Sequence, residues 1–108
     1  MVLDFLSAFF LTNLLEMPVA YAVLRGKERT GRILAVVFLA NVITLPFVWF
    51  LFPAIIGGYY TSLALSELFA FLFEAAAYAL AFRKAGAMRA AGAAVLANAL
   101  SLAVGLLL

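Results

Sequence analysis

Four apolar stretches, each about 20 residues long, occupy almost the whole chain and limit the folds that it can adopt. They cover about 3–24, 33–52, 61–82 and 87–108, and the connections between them are short. A helix that spans a membrane needs about 20 mostly apolar residues, and short connections make neighbouring helices antiparallel. We therefore expect an all-α protein, a polytopic membrane four-helix bundle, with a single transmembrane domain over 1–108.

The composition agrees with a lipid environment and excludes several functional classes. Hydrophobic residues make up 69% of the chain and charged residues 11%, whereas soluble domains contain about 25% charged residues. The sequence has no cysteine and no histidine, so disulfides, thiolate or imidazole metal ligands and cysteine or histidine catalysis are excluded. Nucleic-acid binding is not expected, because the 7 basic residues fall in or beside two short connections.

The basic residues also predict the orientation of the chain. They all lie at 25–32 and 83–89, in or beside the first and third connections, while the second connection is uncharged. By the positive-inside rule, the basic connections face the cytoplasm and both termini lie outside the cytoplasmic (inner) membrane.

A cleaved signal peptide is the disfavoured alternative for the first stretch, because polar residues interrupt it and no basic residue precedes it. Tyrosines are expected at the membrane interfaces, with Tyr78 at the inner one.

The sequence is similar to itself when it is shifted by 57 residues. The shift places 40–44 on 97–101, and one gap places Glu16 on Glu74. Each half thus contains a glutamate-bearing helix, a basic connection and a helix with Asn-x-x-Thr or Asn-x-x-Ser. We expect two parallel-repeat helical hairpins related by a pseudo-two-fold axis along the membrane normal; the alternative is chance similarity in an alanine- and leucine-rich chain. The repeats cover about 1–52 and 58–108.

Polar residues from all four stretches are expected at similar depths. With a rise of about 1.5 Å per residue, they fall near the middle of a hydrocarbon layer about 30 Å thick, and the outermost two lie nearer the outer surface. Within each stretch they share one face, which must be turned inward because an ionisable group in contact with lipid is costly. The expected ion- or proton-binding residues are Glu16, Glu74, Asn41, Asn98, Thr44, Ser101, Asn13 and Glu67.

Two prolines lie beside these polar residues and are expected to kink their helices. Pro18 and Pro46 cannot donate to the carbonyl four residues earlier, which frees the carbonyls of Leu14 and Val42. Free carbonyls, carboxylates, amides and hydroxyls are oxygen ligands that suit a hard cation such as Na⁺, Mg²⁺, Ca²⁺ or Mn²⁺. Protonated carboxyls could carry H⁺ instead. No other cofactor is expected, and the candidate metal ligands are Glu16 and Glu74.

Three motifs combine these groups: Glu16-x-Pro18, Asn41-x-x-Thr44-x-Pro46 and Glu67-x6-Glu74. The combination resembles a pattern in small uncharacterised prokaryotic membrane proteins with four predicted spans. This resemblance covers about three quarters of the chain and implies an integral membrane bundle with no known activity. Asn13-x-x-Glu16 is also similar to the Asn-x-x-Glu core of cation/calcium exchanger repeats. Those exchangers are far longer and have inverted repeats, so the similarity implies only a preference for cations.

The function predicted from the sequence is that of a small membrane transporter or channel for a cation or a proton. Two alternatives stay open: a non-transporting membrane subunit or assembly factor, and a binder of a lipid or another small ligand within the membrane. Catalysis is not expected, since no serine or threonine has an evident base. The expected partners are the lipid bilayer and either a second copy in a homodimer or another membrane protein, because one four-helix bundle is small for alternating access.

Overall fold

The computed structural model describes residues 4–107 and contains four long helices. They are α1 (Phe5–Leu24), α2 (Thr30–Ile55), α3 (Tyr59–Ala81) and α4 (Ala87–Leu107). Their 20, 26, 23 and 21 residues correspond to lengths of about 30 to 39 Å, and the hydrocarbon layer is about 30 Å thick. The predicted all-α four-helix bundle is confirmed, and all four helices are long and apolar enough to cross a membrane.

The helices pack in a ring that follows the order of the chain. Helix α1 packs against α2 and α4, and α3 packs against the same two helices. One end of the bundle, the basic end, therefore contains the connections 25–29 and 82–86. The other end, the opposite end, contains the connection 56–58. Residues from all four helices can consequently meet along the bundle axis.

Helix α2 continues further than the sequence predicts, because a π-helical segment, Phe47–Leu51, carries it past Pro46. Proline removes one backbone donor, and π-helical turns are found where regular helix hydrogen bonding is interrupted. A last α-helical turn, Phe52–Ile55, follows. The connection to α3 is then very short and ends at Gly58, whose φ of 89° is a left-handed conformation that favours glycine.

The outer surface of the bundle is apolar. Phe10 on α1 is 70% exposed, and Leu72 and Leu80 on α3 are 64% and 67% exposed. Soluble monomers rarely expose apolar patches that extend over a whole surface. The exposed side chains thus agree with the length and composition of the helices, which indicate a multi-pass membrane protein.

The half of the bundle next to the basic end is tightly packed, and we call it the closed half. Helix α4 contributes only alanines to this packing, and such small residues let helices approach closely. The two aromatic rings of α3 fill the remaining space. The fully buried residues of the closed half are Ala20, Leu24, Ile33, Val37, Tyr78, Phe82, Ala90, Ala93 and Ala94.

Two side chains join the connections at the basic end. The Glu28 carboxylate, 4% exposed, accepts a hydrogen bond from the backbone N–H of Ala85 at 3.0 Å. The Arg32 guanidinium donates twice to the carbonyl of Ala81, at 3.2 and 2.8 Å, where the last carbonyls of α3 lack partners within the helix. The first connection therefore holds the closed half together in addition to carrying charge.

Candidate functional site

Polar side chains from all four helices meet at the centre of the bundle. Six of them are at most 7% exposed, and the seventh, Ser101, is half-buried beside them. The structure thus brings together seven of the eight predicted binding residues. We call these seven residues the polar cluster: Asn13, Glu16, Asn41, Thr44, Glu74, Asn98 and Ser101.

Glu74 has a polar side chain beside each of its carboxyl oxygens. Asn98 Nδ2 donates to Oε1 at 3.1 Å, and the Thr44 hydroxyl, whose one proton is shared with the carbonyl of Ala40 at 3.0 Å, lies 3.2 Å from Oε2. Asn98 Nδ2 also donates to the carbonyl of Ala94 at 2.9 Å. Because an ionised carboxylate can only accept hydrogen bonds, these surroundings suit Glu74 in its charged form.

Glu16 has a donor at only one of its carboxyl oxygens. The Ser101 hydroxyl donates to Oε2 at 2.7 Å. The other oxygen, Oε1, is buried and has no hydrogen-bond partner. Asn41 and Glu74 are both close enough to interact with this carboxyl group. The two glutamates are therefore neighbours, but their hydrogen-bonding surroundings differ.

Asn13 contributes to the difference. Its Nδ2 donates to the carbonyl of Phe9 at 2.9 Å, so its Oδ1 is left to accept from Asn41 Nδ2, at 3.0 Å. One amide N–H of Asn41 is therefore directed towards Asn13. Asn41 Oδ1 is then buried without a donor. Two buried acceptor atoms, one on Glu16 and one on Asn41, are left without a hydrogen bond.

The hydrogen bonds in the polar cluster pair the two predicted repeats with each other. Glu16 of the first repeat accepts from Ser101 of the second, and Glu74 of the second interacts in the same way with Thr44 of the first. With the gap that places Glu16 on Glu74, the residue that corresponds to Asn13 is Phe71, which has no amide group. The repeat itself stays a prediction.

A cavity of about 500 Å³ extends from the polar cluster towards the opposite end. Six residues of the cluster, all except Asn13, form its floor, and its walls are mostly apolar. The lining reaches Tyr59 and Leu106, which are 71% and 62% exposed, so the cavity opens at the opposite end. No lysine or arginine lines it. We call the half of the bundle around this cavity the open half.

Glu67 is the predicted binding residue that lies outside the polar cluster. It lines the cavity nearer the opposite end and is half-buried. It takes no part in the hydrogen bonds of the cluster within residues 4–107. Its position agrees with the expectation that Glu67 is separate from the central pair.

The carbonyl ligands expected beside the prolines do not take part in the cluster. Within residues 4–107, none of its hydrogen bonds goes to the carbonyl of Leu14 or Val42, whose residues are exposed. The described residues also contain no group of three or more Asp or Glu side chains that could hold a metal ion. Ca²⁺ and Mg²⁺ take six or more oxygen ligands, so two carboxyls suit them poorly. The backbone acceptors that the cluster uses are the carbonyls of Phe9, Ala40, Ala94 and Asn98.

Tyr78, expected at the inner membrane interface, is turned into the bundle. It is fully buried, its hydroxyl has no hydrogen-bond partner among residues 4–107, and its ring packs edge-on against Phe82 with centroids 5.4 Å apart. It lies one turn from Glu74, on the same face of α3. This four-residue spacing was the signal that could have placed Tyr78 below the polar cluster, at the start of the closed half.

The fold and the polar cluster together define a small polytopic helical bundle with a carboxyl pair at its centre. Comparisons with protein-family models, with curated proteins and with solved structures found no match for this chain. What the site does is therefore inferred from its geometry alone.

Proposed function

We propose that this protein is a small membrane transporter that exchanges a monovalent cation for a proton at Glu16 and Glu74. The observation that supports this proposal is a pair of adjacent buried carboxyl groups at the floor of a cavity that opens at the opposite end. Ionisable residues inside a membrane are costly and usually mark an ion or proton pathway. The closed half blocks that pathway on the other side, as one state of an alternating-access cycle requires.

The hydrogen bonds favour one proton for the pair, on Glu16. A protonated Glu16 can donate to Asn41 Oδ1, which gives a partner to both unpartnered oxygen atoms at once. Glu74 keeps its charge, because it already accepts from Asn98 and lies beside the Thr44 hydroxyl. Two adjacent carboxylates in a low dielectric repel each other, so such a pair is expected to share a proton.

A pair with one proton carries one negative charge, and the same pair without that proton but with one monovalent cation carries the same net charge. A cation that enters from the opposite end displaces the proton from Glu16, and a returning proton releases the cation. No basic side chain lines the cavity that could neutralise the pair instead. Exchange of the two charges is thus the simplest cycle for this site.

We also propose that the basic end faces the cytoplasm, so that the cavity opens to the outside of the cytoplasmic membrane. All 7 lysines and arginines lie in or beside the two connections of the basic end. Positively charged connections are retained on the cytoplasmic side. Both termini then lie outside, and a homodimer or another membrane partner remains the expected assembly.

Cation-driven proton flux into sealed vesicles tests the proposal. Purified protein is reconstituted with an internal pH-sensitive dye, and gradients of monovalent cations are applied. The wild type is expected to move protons in response to at least one cation, and Glu16→Gln is expected to abolish this flux. Asp4→Asn is the matched control, because it removes a carboxylate outside the helices and should leave the flux unchanged.

Two results would contradict transport. One is a folded wild type that gives no proton flux with any cation. The other is a flux that persists when both glutamates are replaced by glutamine. If transport is contradicted and the variant with both glutamates replaced is as stable as the wild type, the polar cluster serves neither transport nor packing. If transport is contradicted and this variant is less stable, with no response to ions, the cluster fixes the register of the helices, as in a non-transporting subunit.

A further inference from the structure

We infer that the transported cation is organic: a protonated primary amine that carries an apolar body. The inference rests on the proposed cation site and specifies what fills the space above it. Its first basis is the size of the cavity, about 500 Å³. A water molecule takes up about 30 Å³ in the liquid, whereas pockets for small organic ligands measure about 300 to 1,000 Å³. The cavity is thus of the size that an organic molecule needs.

The walls of the cavity match an apolar body. Leucines from all four helices or their ends contribute to them, and the aromatic rings of Trp49 and Tyr59 lie nearer the mouth. A hydrated inorganic ion finds few partners along such walls, because polar groups lose hydrogen bonds when they leave water. A hydrocarbon body gains free energy from the same surface. The leucines are Leu11, Leu15, Leu45, Leu63, Leu102 and Leu106.

The floor of the cavity matches an ammonium group. An ammonium has three N–H donors and no acceptor, and Glu16 Oε1 and Asn41 Oδ1 are two acceptors without donors. Both residues line the cavity. When the proton on Glu16 leaves, the ammonium takes over these two acceptors and supplies the same single positive charge, so the net charge of the site does not change. An anion or a neutral molecule gains no such partners at this floor.

A lipid chain is the other occupant that the walls would accept. Hydrocarbon alone, however, supplies neither a positive charge nor an N–H donor to the two carboxyl groups. Charge complementarity therefore favours the amine over a lipid chain. The two occupants differ in whether binding depends on the glutamates, and this difference can be measured.

The test compares 2-phenylethylamine with 2-phenylethanol, which has a similar shape but no charge. The amine is protonated at neutral pH, since alkylammonium groups such as that of lysine have a pKa of about 10.4. Trp49 is the only tryptophan of the chain and lines the cavity, so its fluorescence reports occupancy. We expect saturable binding of the amine to the detergent-purified protein, with at least tenfold weaker binding of the alcohol. The variant with both Glu16→Gln and Glu74→Gln should bind the amine at least tenfold more weakly.

Gly105 offers a second variant that leaves the carboxyl groups intact. It lies one turn beyond Ser101 on the same face of α4, lines the cavity, and a Cβ added there would meet no atom within 4 Å. Gly105→Leu should therefore occupy part of the cavity and weaken amine binding at least tenfold. Gly105→Ala, which fills far less space, is the matched control. Unfolding midpoints that are no lower than that of the wild type show that both variants are folded.

The possible failures are distinguishable. If inorganic cations drive proton flux that depends on Glu16 but the amine does not bind, the proposed transport stands and the organic substrate is overturned. Equal binding of amine and alcohol, unaffected by the glutamates, also overturns the organic cation and assigns an apolar occupant to the cavity. If neither kind of cation gives a response that depends on the carboxyl groups, both proposals fail.

Discussion

The closed half and the open half contain the same four helices, yet one is filled by side chains and the other encloses a cavity. Helix α4 shows the contrast most clearly: Ala90 and Ala94 are fully buried near the basic end, whereas Gly105 borders the cavity near the opposite end. In the closed half, the rings of Tyr78 and Phe82 fill the space that small residues leave. A bundle of only 108 residues can thus combine a barrier with a cavity of ligand size.

The polar cluster lies where the two halves meet. Towards the basic end it is bounded by apolar side chains, and towards the opposite end by the cavity. The cavity leads to the charges at this boundary from the opposite end. The comparison therefore predicts that a substitution has different effects in the two halves, even when its chemistry is similar.

The largest effect is expected from a larger side chain in the closed half. Ala94→Leu adds volume at a site that is 0% exposed, and overpacking of this kind costs about 1–3 kcal/mol of unfolding free energy. Gly105→Ala in the open half should instead stabilise the protein by about 0.4–1 kcal/mol, because it reduces the freedom of the unfolded chain. Reversible unfolding in detergent measures both. Similar effects of the two substitutions would remove the distinction between the halves.

A slightly smaller effect is expected when Glu74 is shortened. Glu74→Ala leaves one amide N–H of Asn98 without its carboxylate partner, and a buried unsatisfied group costs about 1–3 kcal/mol. Glu74→Gln keeps an acceptor for Asn98, so its loss of unfolding free energy should be less than half that of Glu74→Ala. The same unfolding measurement separates the two variants. Equal losses would show that the negative charge of Glu74, rather than its hydrogen bonds, stabilises the cluster.

Asn13→Ala is expected to lower the unfolding free energy by about 1 kcal/mol, because it removes one buried hydrogen bond. Reversible unfolding in detergent measures this loss. An unchanged unfolding free energy would mean that the hydrogen bond between Asn13 and Asn41 does not stabilise the polar cluster.

The smallest effect is expected at Asp4, at the N-terminus of α1. Its carboxylate accepts a hydrogen bond from the backbone N–H of Ser7 at 2.7 Å, and this bond holds the pKa of Asp4 below its ordinary value. The stabilisation is therefore fully present above the unfolded pKa of about 3.9 and is lost as the pH falls through the lower folded pKa. Unfolding midpoints of the wild type and Asp4→Ala should differ slightly at pH 7 and converge in acid. A difference that grows in acid would contradict this assignment.

Much of the fold follows from the sequence, because hydrophobicity and length alone distinguish a membrane-spanning helix. The four stretches lie close to the observed helices, except where the π-helical segment extends α2. The spacing of polar residues also indicates which face of each helix is turned inward. The inward faces of three helices bring Glu16, Glu74 and Asn98 together.

The details of the site could not be predicted in the same way. A helical pattern assigns a residue to a face but not to a partner, so it does not show that Asn13 accepts from Asn41. The burial of Tyr78 depends on the alanines of α4 that pack around it, and the burial of Glu28 depends on a contact with Ala85, which is remote in sequence. The cavity likewise results from the packing of all four helices rather than from any one of them.

The most direct test of a carboxyl pair that exchanges one proton for a cation is infrared difference spectroscopy on cation binding. A protonated carboxyl group absorbs at a frequency separate from that of a carboxylate. We predict that addition of a bound cation to the wild type removes one protonated-carboxyl band, that Glu16→Gln lacks this band, and that Glu74→Gln retains it. A wild type without a protonated-carboxyl band, or with a band that cations do not change, would contradict the proposed exchange at Glu16.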